Sequence, residues 1–308
     1  TQGLMWRAID AQGKLVYPDF VETVTRIVPL YWARTFGGTL FFVGFLVMVY
    51  NIYKTIQAAP ARSEAAPVKA ISLSSQCADQ SKDAHRRLEG MPMLFTVLTL
   101  IAILVGSVIE IYPTLSLKRY LPESDIANVR AYSPLELAGR DVYIKEGCYT
   151  CHSQQIRPIA SEVLRYGKAS TIADSMYDHP FQWGSKRIGP DLARVGKKYP
   201  DLWHYRHMMD PRAITSQSIM PDYKWLADNK VDFLILRRKL SILRNLGTPY
   251  TDDQVAQADI LAEKQAKEIA LGLEQQGVQA GLEKTELVAL IAYLQSLGQL
   301  VNDAGGVK

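Results

Sequence analysis

The chain has 308 residues, enough for one or two domains with a real core, and 48% of them are hydrophobic. A net charge of +4, with bases dispersed among nearly as many acids, argues against a nucleic-acid-binding surface. Three cysteines exclude a disulfide framework. The start at Thr1, with neither an initiator Met nor a signal-peptide pattern, reads as the C-terminal piece of a longer polypeptide.

Two stretches have the length and apolarity of membrane spans. The first runs from Phe36 to Tyr53, apolar except for Thr39 and Asn51, and the second from Met93 to Tyr112. Tyr31, Trp32, Tyr50, Tyr53 and Tyr112 at their ends suit an interfacial belt. The Ala-, Pro- and Ser-rich segment between them, about Lys54 to Gly90, carries Lys54, Arg62, Lys69, Lys82, Arg86 and Arg87. By the positive-inside rule it is a cytoplasmic loop, which puts both flanks on the outer face. Cys77 lies in that reducing loop as a bystander.

Beyond the second span, Ser133-Pro134-Leu135-Glu136 predicts a capped helix start with Pro at the first position. That helix leads into Cys148-Tyr149-Thr150-Cys151-His152, a C-x-x-C-H run. Such a run is the attachment signature of a c-type haem: two thiols for thioethers and a histidine aimed at the iron. A redox C-x-x-C does not need the histidine, and zinc needs a fourth ligand, for which only the distant Cys77 remains. Attachment outside the reducing compartment agrees with the topology from loop charge. At the other end, Glu286 to Leu297 is apolar at helical spacing and stops at Gly298. A helix before C-x-x-C-H and a closing amphipathic helix are the two ends of a class I cytochrome c fold, with Gly139 and Tyr293 as candidates for their crossing. Between Lys224 and Lys284 the spacing predicts a basic amphipathic helix over Phe233 to Leu246 and a charged helix over Asp252 to Gln276, opened by Thr251. The basic helix suits a membrane or partner surface, or equally a solvated face over a local core.

An electron-transfer haem needs a second axial ligand. Met176, Met208, Met209 and Met220 follow the motif, as do His179, His204 and His207. Met220 is singled out by Ser218-Ile219-Met220-Pro221, where proline fixes the chain just after the ligand. Gly189-Pro190-Asp191-Leu192 resembles the segment whose proline carbonyl holds the proximal histidine in class I cytochromes, although a simple turn would read the same. Arg157, Trp183, Lys186 and Arg187 are candidate partners for haem propionates, or ordinary surface groups.

Four runs carry a wider resemblance: YSPLELAGRDVYIKEGCYTCHSQQIRP, YDHPFQWGSKRIGPDLARVGKKYPDLWH, SIMP and the closing helix. Over Met93 to Leu297 the chain resembles the monohaem cytochrome c subunit of cbb3-type haem–copper oxidases. Residues 3–51 resemble the last loop and final helix of the catalytic subunit of the same oxidases. The resemblance implies a mainly α chain: two transmembrane helices plus a class I cytochrome c domain on the outer, periplasmic face of a bacterial inner membrane. It divides into 1–57 as the end of a catalytic subunit, 58–90 as a cytoplasmic linker, 91–113 as an anchor, and 114–308 as the haem domain with an insertion at 224–284. Cys148, Cys151, His152 and Met220 would bind a covalent haem c, supported by Pro190 and Arg157, and Ser185 would offer a backbone ligand to a calcium ion. Haem b, high-spin haem b and copper would belong to the rest of the complex, since residues 1–57 contain no histidine. The expected partners are the remainder of the catalytic subunit, a di-haem cytochrome c subunit or other cytochrome c donor, and membrane lipids. The implied function is relay of electrons to haem b for oxygen reduction coupled to proton pumping. The rivals are the cytochrome subunit of a nitric oxide reductase, a stand-alone membrane carrier, and a structural assembly subunit.

Overall fold

A computed structural model describes residues 2–58, 84–116, 128–184 and 187–301. Cys77, Ser185, Lys186 and most of the linker expected at 58–90 lie outside them. The described chain is mainly helical, contains no strand, and forms two units, residues 1–28 with 120–308 and residues 29–119.

The N-terminal residues form α1 (Gln2–Arg7), followed by α2 (Phe20–Ala58). At 1.5 Å per residue α2 is about 58 Å long, nearly twice a ~30 Å hydrocarbon core. The apolar stretch anticipated at 36–53 is therefore the C-terminal part of a longer helix, which passes from one unit to the other at Pro29. The second unit continues through α3 (Ala84–Glu89) and α4 (Pro92–Ser116). Residues 32–58 of α2 are all exposed, and Phe41 and Met93 are more than 80% so. Two apolar helices with uncovered sides are what a lipid-facing segment requires, and both are long enough to cross a bilayer.

The larger unit is built on α5 (Pro134–Lys145) and α12 (Glu286–Ser296). Ser133 caps α5: its Oγ accepts the Glu136 N–H, while the Glu136 carboxylate accepts the Ser133 N–H, and Pro134 stands at the first position. Gly139 lets the two helices touch, because a Cβ there would lie 1.9 Å from the Ala289 carbonyl oxygen. Tyr132, Leu135, Tyr143, Leu290 and Tyr293 fill the crossing. Between them in sequence come α6 (Ala160–Tyr166), α7 (Asp201–Met209), α8 (Pro211–Ile214), α9 (Ile235–Asn245), α10 (Asp252–Ala256) and α11 (Ala258–Glu274).

The 224–284 segment belongs to this core. Ala258, Ala262, Ala266 and Ala270 form an i, i+4 ridge that is at most 2% exposed, so α11 packs closely against α5. The expected single charged helix is two helices broken at Gln257, with Thr251 capping the first through Gln254. Helix α9 buries Leu236 and Leu240, and three of its cations pair within the chain: Arg237 with Asp259 at 2.9 Å, Lys239 with Asp141, and Arg244 with Asp252. Its buried side lies over a local core, while Leu234, Ile235, Ile242 and Leu246 stay exposed. The N-terminal segment also docks here, where Arg165 of α6 donates to the carbonyls of Tyr17 at 2.7 Å and Pro18 at 3.0 Å.

Candidate haem-binding site

The C-x-x-C-H run follows α5 directly. The helix ends at Lys145, Gly147 adopts a positive φ of 70°, and Cys148–Thr150 forms a 3₁₀ turn. The turn places Cys148 and Cys151 side by side as half-buried free thiols. Burial pushes the Cys148 thiol up to about 12.

His152 is fixed from two sides. Its Nδ1 lies 2.8 Å from the carbonyl oxygen of Pro190, so the proton belongs on Nδ1 and Nε2 is left for a metal. Gly189 lies flat against the ring, where a Cβ would come 2.3 Å from Cε1. The backbone holds this pairing in register, with Gly189 N–H donating to Cys151 O at 2.9 Å and Leu192 N–H to Ser153 O at 2.8 Å. Burial lowers the pKa of His152 against the opposing pull of the Pro190 carbonyl, which keeps the imidazole neutral. A neutral imidazole with one nitrogen anchored, beside two free thiols on one turn, is a donor set suited to haem.

The segment carrying Met220 is fastened over this turn. Tyr223 N–H donates to the Met208 carbonyl at 2.8 Å, and Trp225 Nε1 donates to Glu146 beside Cys148 at 3.1 Å. Tyr223 sits close enough to both thiols that, after burial, Cys148 and Cys151 are what push its hydroxyl pKa up. Met220 is half-buried against the main core. Met176 is buried in a separate small cluster with Val129, Ala173 and Tyr177, and Met208 is a core residue.

The basic residues named from sequence have other partners. Arg157 Nε donates to Glu162 at 2.6 Å. Arg187 is buried, donating to Ser153 Oγ at 2.7 Å and to Glu162 at 2.8 Å, and lies 3.3 Å from Asp191. Asp191 in turn accepts from Ser153 Oγ at 2.6 Å and from the Gln155 N–H at 2.9 Å. Burial alone would raise the Glu162 carboxyl, but hydrogen bonds from Arg187 and Arg157 hold it at about 2. Trp183 is partly exposed, stacked on Phe181 at 4.6 Å, with its Nε1 donating to Ser175. The last helix reaches the motif through Tyr293, whose hydroxyl is 3.0 Å from the Gln154 amide nitrogen. Asp191, Glu162 and Gln154 were not anticipated. Only Asp191, next to Pro190 in a turn-like run, carried a local signal.

The sequence matches the family described as "Cytochrome C oxidase, mono-heme subunit/FixO" over residues 85–301. It is 52% identical over 66 residues to the cbb3-type cytochrome c oxidase subunit CcoN1 of Stutzerimonas stutzeri, covering 21% of this chain and 14% of that protein. It is 49% identical over 63 residues to a cytochrome c oxidase subunit 1 homolog of Azorhizobium caulinodans, covering 20% and 11%. It is 46% identical over 59 residues to cytochrome c oxidase subunit 1 of Rhodobacter capsulatus, covering 19% and 11%. The chain thus spans only 10–14% of the length of such curated relatives. The family match is of another extent: it takes in α4, the C-x-x-C-H turn, the Gly189–Pro190 cradle, the Met220 segment and α12. With that whole frame inside it, the chain belongs to the family described as cytochrome c oxidase, mono-haem subunit/FixO.

Proposed function

We propose that this chain is the electron-relay part of a cbb3-type oxidase, fused behind the end of the catalytic subunit. Cys148 and Cys151 would hold a haem c by thioethers, and His152 and Met220 would ligate its iron. The bound haem supplies the one-electron redox chemistry. The protein fixes the imidazole through Pro190, seats the ring against Gly189, and closes the Met220 segment over the attachment turn. A thioether opposite an imidazole raises the potential relative to two imidazoles, which suits a carrier poised between a cytochrome c donor and haem b. The subunit takes electrons on the periplasmic face and delivers them to the catalytic part, where oxygen is reduced and protons are pumped.

The observation that carries this reading is the His152 Nδ1–Pro190 carbonyl bond beside two free thiols. The fused arrangement assigns 1–57 to the catalytic subunit, 58–90 to a cytoplasmic linker, 91–113 to the anchor and 114–308 to the periplasmic haem domain. It draws support from relatives named as cbb3-type cytochrome c oxidase subunit CcoN1 and cytochrome c oxidase subunit 1, and from the grip of Arg165 on the carbonyls of Tyr17 and Pro18. In this reading Arg157, whose side chain is half exposed while bonded to Glu162, partners a haem propionate, and Ser185 offers a backbone oxygen to a calcium ion. The nitric oxide reductase reading finds no counterpart among the named relatives above.

The test is haem staining of the denatured polypeptide with redox titration of the purified complex. Covalent haem should be lost in Cys148→Ala/Cys151→Ala, and Met220→Ala should lower the potential and change the spectrum. An unchanged spectrum would remove Met220 from the ligand set. Upstream sequence lacking ligating histidines on hydrophobic helices would remove the fusion.

A further inference from the structure

The side chain of Asp191 has no exposed surface, and the haem reading gives its carboxylate no task. A buried charge needs partners, and Asp191 has four, every one a donor. Its Oδ2 accepts from Ser153 Oγ at 2.6 Å and from the Gln155 N–H at 2.9 Å, and lies 3.3 Å from Arg187 Nη2. Its Oδ1 accepts the Ala193 N–H at 2.8 Å. Ser153 follows His152 directly and is wholly buried, and Asp191 follows Pro190 directly. The carboxylate therefore joins the residue after the imidazole to the residue after its carbonyl acceptor. Two backbone bonds pair the same segments, Gly189 N–H to Cys151 O and Leu192 N–H to Ser153 O. Asp191 carries the grip past them to Gln155. Arg187 closes the arrangement by donating its Nε to Ser153 Oγ at 2.7 Å, which leaves the hydroxyl's one proton for Asp191. An amide in place of the carboxylate would turn its own N–H groups toward a donor.

We infer that Asp191 is a positioning residue for His152: acting through Ser153, its carboxylate fixes the separation across which His152 Nδ1 donates to the Pro190 carbonyl. This rests on the reading of His152 as an iron ligand. A hydrogen bond at Nδ1 raises the basicity of a ligating imidazole, so the tightness of this 2.8 Å contact sets how strongly Nε2 donates to ferric iron. A stiff clamp keeps the bond short, favours the ferric form and holds the potential down. Slackening the clamp should raise it.

The experiment uses the purified full-length complex carrying Asp191→Asn, which keeps the shape and loses one acceptor, and Ser153→Ala, which keeps the charge and cuts its link to residue 153. Readouts are the midpoint potential of the haem, the g values of its ferric EPR signal, and the urea midpoint. Both variants should raise the potential and shift the g values, and Ser153→Thr, which restores the hydroxyl, should return both toward the parent. If Asp191→Asn does not accumulate, Ser153→Ala is read in its place. A potential that rises with Asp191→Asn but not with Ser153→Ala overturns the proposal, since the buried charge would then act without the clamp. So does a lower urea midpoint with potential and g values unmoved, which would leave Asp191 a purely structural part. A low-spin haem spectrum that survives His152→Ala refutes the ligand reading instead. A spectrum that His152→Ala removes, with the potential unmoved by both clamp variants, refutes this proposal alone.

Discussion

Gly139 of α5 and Ala289 of α12 meet backbone to backbone. A Cβ on Gly139 would stand 1.9 Å from the Ala289 carbonyl oxygen and 2.8 Å from Tyr293 Cβ. Alanine is favoured over glycine inside a helix by about 1 kcal/mol. Here that preference loses, because relieving the overlap means moving backbone, at about 3 kcal/mol or more. Gly139→Ala should therefore lower the urea midpoint of the haem domain and loosen the Tyr293–Gln154 bond that ties α12 to the motif. A midpoint equal to that of the parent would show that the helices part freely.

Glu162 and Arg187 form the buried ion pair under the attachment turn, with both side chains less than 10% exposed. Removing one partner of a buried pair leaves the other uncompensated, typically at about 3–5 kcal/mol. Glu162→Gln should destabilise the domain by an amount in that range at pH 7. The sign of the pH effect follows from a carboxyl held at about 2 against its ordinary 4.5. Its contribution is complete above about pH 4.5 and drains away as pH falls toward 2. The gap between parent and variant should narrow over that window in urea titrations, and a constant gap would deny Glu162 this role.

His204 adds an earlier stretch of the same acid limb. Burial, then the nearby His207, holds it at about 4 against an ordinary 6.5. The folded state keeps it neutral while the unfolded chain takes up a proton below pH 6.5. Stability should thus fall from about pH 6.5 to 4, by up to about 3 kcal/mol from this group. His204→Phe removes both the slope and the unpaired Nε2, so it should be at least as stable at pH 7 and flatter below it. A variant whose acid limb keeps the parent's slope would place that sensitivity elsewhere.

What was legible in the sequence was local or chemically loud. Ser133 and Glu136 announce a helix start because their side chains bond within one turn, and Gly139 and Tyr293 were readable as a crossing from helical spacing. The 3₁₀ turn at Cys148 and the cradle at Pro190 each follow from a short run. Partner choice across distance was not legible. Arg157 and Arg187 stand out in the sequence as cations near the motif, but nothing there says that Glu162 bonds both and Asp191 lies against Arg187. Nothing in a one-dimensional pattern says which carboxylate lies beneath which guanidinium. The break at Gln257 was hidden for a related reason: a charged, helix-favouring run does not show where tertiary packing turns it.

The alanine ridge of α11 has a consequence for how this domain comes apart. Ala258, Ala262, Ala266 and Ala270 have no side chain beyond Cβ, so the helix lies against α5 with little room for water between them. A segment joined in that way cannot peel off like an appended lobe. Excising 224–284 should strip one side of the helix that presents the C-x-x-C-H turn, and heating should melt ridge and haem cradle in a single cooperative transition.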